Sequence, residues 1–181
     1  MLGMNPIADL RRRLDNMIRP GTIYAVDHVN ARCRVKTGSL LSGWLRYFVG
    51  RAGAVRRHSA PSPGEQCTVL SPSGEMAAGF VLVGLNSDEF PAPSNDPDLD
   101  SIEYVDGTWI GYDMGNQELT VIMAPGGRVI LQAPGGVQIA GNVDIIGTVT
   151  VSEDVTANGI SLVNHAHGGV ESGSGSTGAP Q

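Results

Sequence analysis

His165 and His167 stand one residue apart in Val163-Asn164-His165-Ala166-His167-Gly168-Gly169. In an extended chain, residues i and i+2 project to the same side, so these two imidazoles would point in one direction. Two nitrogens make a poor cage for a transition metal, whereas three chains around a common axis would bring six. Six imidazoles suit iron(II), nickel, cobalt or zinc, and geometry rather than ligand type must choose among them. An ion so enclosed is structural, because no open position is left for a substrate or an activated water. The competing reading is an exposed polar turn ahead of a glycine-rich tail.

The element that must aim the histidines is the segment before them. From Val129 the odd positions read Val, Leu, Ala, Gly, Val, Ile, Gly, Val, Ile, Gly, Val, Val as far as Val151, and the even positions are mostly Gln, Asn, Asp, Thr and Pro. Ile130 and Ile146 are the exceptions. One apolar and one polar face thus persist far beyond an ordinary strand of about five or six residues. Ala124-Pro125-Gly126-Gly127 recurs as Ala133-Pro134-Gly135-Gly136, and Gly135, Gly141 and Gly147 fall on the apolar face at a spacing of six. A single thin sheet cannot bury such a face, so successive coils or neighbouring chains must cover it. A solenoid needs more coils than this length provides. Three intertwined chains supply the cover and also remove exposed sheet edges. If the odd register continues unbroken, both histidines face the axis. Glu153 on that face, with Ile160 and Leu162 on the other, marks a weak point: a slip near Asn158-Gly159 would turn the histidines outward.

Charge divides the 181 residues sharply. Residues 1–57 hold eleven of the twelve Arg and Lys against Asp9, Asp15 and Asp27, a net of +8; the remainder holds Arg128 against fifteen acids, a net of −14. Such asymmetry suggests two parts with different surroundings. With aromatics at 5% and 25 glycines, the core must be built from small β-branched residues. No apolar run is long enough to span a bilayer, and no secretory signal core opens the chain. Cys33 and Cys67 each sit in a strand-like apolar run, which reads as buried free thiols rather than a disulfide framework or a zinc site.

Apolar residues at Ile7, Leu10, Leu14 and Met17/Ile18 predict a short amphipathic helix over 5–18, stopped by Pro20-Gly21. Strands are expected at Thr22–Val26, Arg32–Thr37, Trp44–Val49, Gln66–Leu70 and Ala77–Leu85, which suits a compact OB-fold barrel. Residues 86–106 contain Pro91, Pro93 and Pro97 among seven acids and read as a solvated linker. Gly107 to Asp113 and Leu119 to Ala124 read as paired strands across Gly115-Asn116. The expected organisation is a helix over 1–20, the barrel over 21–87, an acidic Pro-rich linker over 88–106, a β-helix shaft over 107–160 and an apex over 161–181.

Other chemistries find little support. His28 and His58 lie in basic, turn-like surroundings without a ligand or base nearby, and no nucleophile elbow, phosphate loop or His-Glu-x-x-His pattern occurs. Asp113 with Glu118, or Glu153 with Asp154, would be the candidate carboxylate pair of a carbohydrate-acting β-helix, yet they read equally as solvated turn acids. A second alternative is an OB-fold nucleic-acid binder using Arg11, Arg12, Arg13, Arg32, Arg34, Lys36, Arg46, Arg51, Arg56 and Arg57, with Tyr24, Trp44, Tyr47 and Phe48 as stacking surfaces. The wide spread of these residues favours a positive face that docks on an acidic protein partner, with no nucleic acid expected.

The helix, the stretch from Ser62-Pro63-Gly64-Glu65-Gln66-Cys67 through Leu70-Ser71-Pro72-Ser73-Gly74-Glu75 to Gly84-Leu85, the glycine-spaced repeat and the terminal His-Ala-His-Gly together resemble the central spike of contractile phage tails, the baseplate assembly protein V family, with related pyocin-type particles. The resemblance implies an all-β homotrimer: an OB-fold collar, an intertwined triple-stranded β-helix and a pointed apex. It implies iron at that apex, one ion per trimer, held by His165 and His167 of each chain. The implied role is mechanical and not enzymatic. Assembled in the host cytoplasm at the tip of the virion tail baseplate, with hub and tail tube proteins as partners, the spike is driven by sheath contraction through the outer membrane of the target cell towards the periplasm.

Overall fold

The computed structural model describes residues 6–169 and Gly173. It opens with helix α1, Pro6–Met17, close to the expected bounds. Strands β1 (Ile18–Asp27), β2 (Arg32–Thr37), β3 (Leu40–Leu41), β4 (Leu45–Tyr47), β5 (Gln66–Leu70) and β6 (Phe80–Leu85) follow. They hydrogen-bond in the order β1-β5-β6-β4-β2-β3, and β1 also pairs with β2. That extra pairing closes five strands into an OB-like barrel, with β3 as a short flap on β2. Closure needs one parallel contact, made by Arg46 and Tyr47 of β4 against Phe80 and Val81 of β6.

Alternation builds the core. In β2, Cys33, Val35 and Thr37 point inward, and they meet Ile23, Leu45, Cys67, Val69 and Val81, all at most 2% exposed. Small β-branched residues and thiols fill the centre, as the scarcity of aromatics requires. The β1–β2 hairpin is set by Asp27, whose Oδ1 accepts from the N–H groups of Val29 and Asn30, at 3.0 and 3.1 Å. Ser42 fastens β2 to the following turn: its Oγ accepts from Val35 N at 2.8 Å and donates to Gly43 O at 2.8 Å.

The main departure in the barrel concerns Pro20-Gly21. The helix ends before them, and β1 runs straight through both. Pro20 is tolerated because this half of β1 pairs only with β5, leaving one edge where a donor is not needed. Gly21 is required there, since a Cβ would strike the Val35 side chain and lie 2.9 Å from Lys36 O. The expected strand from Ala77 instead begins at Phe80, after 3₁₀ turns at Pro72–Gly74 and Met76–Ala78. Ser71 N donates to Met17 O at 2.8 Å, fixing the end of α1 to this region.

Beyond the barrel, β7 (Leu99–Glu103), β8 (Trp109–Asp113) and β9 (Glu118–Ile122) form an antiparallel meander. The predicted β8–β9 pairing is present, and β7 lies inside the stretch expected to be a plain linker. Its acids face out, so charge masked the strand pattern.

The chain divides into two units at Val129/Ile130. From residue 123 to 155 it makes no strand ladder of its own. The two Ala-Pro-Gly-Gly repeats each close a turn, Gly127 N donating to Ala124 O at 2.7 Å and Gly136 N to Ala133 O at 2.8 Å. Their flanking apolar residues stay in the open: Leu131 is 75% exposed, Ile139 67% and Val149 62%. Among the described residues no helix is long and apolar enough to cross a membrane.

Candidate metal centre

The short strands β10 (Thr156–Ala157) and β11 (Ile160–Ser161) pair antiparallel, Thr156 with Ser161 and Ala157 with Ile160. The two residues between them, Asn158 and Gly159, both have left-handed φ, 51° and 81°. This is the turn that matches the natural twist of a two-residue hairpin, and Asn-Gly is its preferred sequence. The chain therefore reverses where the sequence suggested a slip. The odd register does not run unbroken into the histidines, so alternation along one strand cannot be what aims them.

Hydrogen bonds from Asp154 and Ser161 organise the residues after the hairpin. Asp154 Oδ1 accepts from Val155 N at 2.8 Å and from Val163 N at 3.1 Å. Leu162 N donates to Val155 O at 2.9 Å, and Asn164 N to Ser161 Oγ at 2.8 Å. The Ser161 hydroxyl is the largest influence holding the Asp154 carboxyl below its ordinary value, followed by the Val163 and other backbone N–H groups. Asp154 and Ser161 are thus positioning residues. Asp154 was readable from the sequence only as a solvated turn acid; its place two residues before an Asn-Gly hairpin was the available signal.

On this frame the rings of His165 and His167 come together, with centroids 5.1 Å apart and planes at 82°. His165 Nδ1 lies 3.0 Å from Ser161 O and 3.1 Å from Leu162 O. Carbonyl oxygens only accept, so these contacts place a proton on Nδ1, the tautomer whose Nε2 can offer a lone pair to a metal. A ligating histidine is oriented in this way by the bond its other nitrogen makes. The donor pair fits a transition metal on this ground. One chain supplies two imidazoles, and among its described residues no group of three or more His, Cys, Asp or Glu gathers to hold a metal ion.

Of the other candidates, Asp113 and Glu118 stand directly opposite each other across the β8–β9 ladder. His28 and His58 are exposed and stand outside every strand. Asp113 is occupied by its own turn, its two oxygens accepting from Asn116 N at 2.9 Å and Nδ2 at 2.7 Å. Asp154 is used as described, so in each pair one carboxylate is committed to its own turn. Three of the proposed stacking aromatics are engaged separately. Arg34 lies over Trp44, Phe48 packs edge-on against Phe80 at 5.5 Å, and Tyr47 packs on the core. Of the helix cations, Arg12 and Arg13 are taken by Asp9 at 2.7 and 2.8 Å. Cys33 and Cys67 are free and fully buried.

Comparison with known proteins gives three matches. Residues 19–85 match the Type VI secretion system/phage-baseplate injector OB domain, which coincides with the barrel. Residues 159–181 match the GpV Apex motif, which begins at Gly159 of the hairpin turn and contains both histidines. Over 115 residues the chain is 43% identical to the spike protein of Escherichia phage P2, covering 64% of this chain. It spans 54% of the length of that relative.

Proposed function

We propose that the chain belongs to the phage-baseplate spike family whose barrel and apex it matches, and that it is the central spike of a contractile tail or phage-like particle, a trimer pushed through the outer membrane of a target cell by sheath contraction. The observation that carries this reading is the bare apolar stretch from Val129 onward. A single chain that leaves Leu131, Ile139 and Val149 in water, without strand partners for its backbone, has only half of a structure. Copies wound round one axis would bury these side chains at about 25 cal/mol per Å² of apolar surface and would pair the backbone groups. The product is a stiff acidic shaft. Its work comes from the contracting tail, so the molecule needs no catalysis.

At the apex, His165 and His167 of three copies would hold one ion, iron or another metal that accepts six imidazoles. When bound, such an ion supplies a cross-link between the three chain ends and no activated water. The protein's own contribution is orientation. Asp154, Ser161 and the Asn158-Gly159 turn set the backbone, and the Ser161 and Leu162 carbonyls present His165 as the right tautomer. The basic barrel end would face the hub and tube proteins of the baseplate.

The placement is tested by immunogold labelling of assembled particles. Label at the distal centre of the baseplate supports the reading. Label on the sheath or tail fibres, or chain found free of particles, contradicts it.

A further inference from the structure

Strand β2 turns Arg32, Arg34 and Lys36 outward because Cys33, Val35 and Thr37 alternate inward. On the next strand Arg46 sits directly opposite Arg32. Like charges in that relation are unfavourable, and no carboxylate among the described residues pairs with either. Among the described residues the only ion pairs are those of Asp9 with Arg12 and Arg13.

Two of these guanidinium groups are also held in place. Arg32 Nη1 donates to Trp44 O at 3.1 Å, and Arg34 Nε donates to Ser42 O at 2.9 Å while its Cζ lies 5.9 Å from the centre of the Trp44 ring. Backbone carbonyls fix one side of each fork and leave N–H groups for another acceptor, and the planar fork matches a carboxylate. Beside them a shallow hollow of about 340 Å³ opens between Arg32, Trp44, Arg46 and Phe80.

The complementary surface is in the same sequence. Residues 86–106 carry Asp88, Glu89, Asp96, Asp98, Asp100, Glu103 and Asp106 and no Arg or Lys. All seven acids are exposed. Some accept from backbone, as Asp96 does from Asp98 N and Asp106 from Thr108 N, and none forms an ion pair within the described chain. Between turns at Ser87–Phe90 and Asp96–Leu99, Pro91 and Pro93 keep the middle of this strip extended, a form that can lie along a sheet face.

We propose that the sheet face of Arg32, Arg34, Lys36 and Arg46 is a docking surface for the acidic strip 88–106 of a second copy of this chain. The face and the strip occur once per chain and neither has an ion-pair partner among the described residues, so copies arranged head to tail would satisfy every pair, and a threefold ring closes such a contact. The inference rests on the trimer proposed above, and adds which surfaces meet at its collar.

Lys36 is the only lysine in the sequence, which makes the contact directly readable. Two differently tagged full-length copies are co-expressed. One carries Lys36→Arg. The other keeps Lys36 and carries Asp88→Asn, Glu89→Gln, Asp96→Asn, Asp98→Asn, Asp100→Asn, Glu103→Gln and Asp106→Asn. The mixed oligomer is treated with a zero-length carbodiimide, and any bond from Lys36 to residues 88–106 must then be intermolecular. Mass spectrometry should find it, with a yield falling about fivefold or more between 50 mM and 1 M NaCl, as the screening length shrinks from more than 10 Å to about 3 Å. A mixed trimer whose Lys36 is linked elsewhere or not at all overturns this contact and leaves the spike reading intact. A monomer overturns both. Links from Lys36 to added hub protein, or protection of Lys36 by single-stranded DNA, would replace the second copy with another occupant.

Discussion

Replacing Gly74 with Ala should loosen the hold of the barrel on α1. Gly74 is buried at the end of the first 3₁₀ turn with φ +73°. A Cβ there would meet the Arg13 carbonyl oxygen and lie 2.6 Å from Arg13 Cα and 2.8 Å from its carbonyl carbon. These are backbone atoms of a helix, which cannot rotate aside as a side chain would. The left-handed backbone costs a non-glycine residue about 1–2 kcal/mol, and forcing a methyl group into packed structure costs about 1–3 kcal/mol. Together the substitution should destabilise the barrel by about 2–5 kcal/mol, less whatever α1 recovers by swinging away. Two measurements separate these outcomes: urea unfolding followed through the barrel tryptophan Trp44, and hydrogen exchange of the amides of α1. The expected result is a lower midpoint together with faster exchange at Leu14 to Met17. A loss under about 0.5 kcal/mol with unchanged exchange would refute the close approach, because no residue with a Cβ fits the observed backbone.

Three further outcomes follow from the same structure. Cys33 and Cys67 should resist a thiol reagent at pH 8 in the folded protein and both react in guanidinium, since burial pushes their pKa values up to about 11 and about 12 and leaves little thiolate; rapid labelling of either in the native state would contradict the core assignment. Val81→Ala removes two methyl groups from a fully buried site and should cost about 2 kcal/mol in chemical denaturation, from ~0.8 kcal/mol per group plus a cavity contribution; a loss under about 0.5 kcal/mol would show that the site is not packed as described. The Asp154 carboxyl titrates below its unfolded value of 3.8, so its support of the hairpin is complete above that value and is lost as pH falls through the lower folded one; amide shifts of Val155 and Val163 should report this loss on acidification, and Asp154→Asn should abolish that acid transition.

The parts of the fold legible in the sequence were those decided by local alternation. β2 and β5 fall on their expected residues because one face meets the core and the other meets water along their whole length. β1 was cut short at Pro20-Gly21, because the signal for a turn ignores an edge that needs no donor. β7 was hidden because a strand with only Leu99 and Ser101 half-buried can carry acids elsewhere without penalty. His165 and His167 were singled out by type and spacing, and the structure brings their rings together. The means of aiming them was not legible, since it depends on a hydrogen bond from Val163 N to Asp154, nine residues back, and on carbonyls of the preceding turn. Such contacts leave no period in the sequence. The exposed apolar stretch was legible as a demand for burial, and the single chain leaves that demand unmet.

Native mass spectrometry of the full chain, with elemental analysis of the same sample, tests the central claim most directly. The account predicts a species of three times the 18.9 kDa chain mass carrying one transition-metal ion, and loss of that ion, with the trimer retained, when His165 and His167 are both replaced by Ala. A monomer, or a trimer with no metal after expression in metal-replete medium, would contradict it.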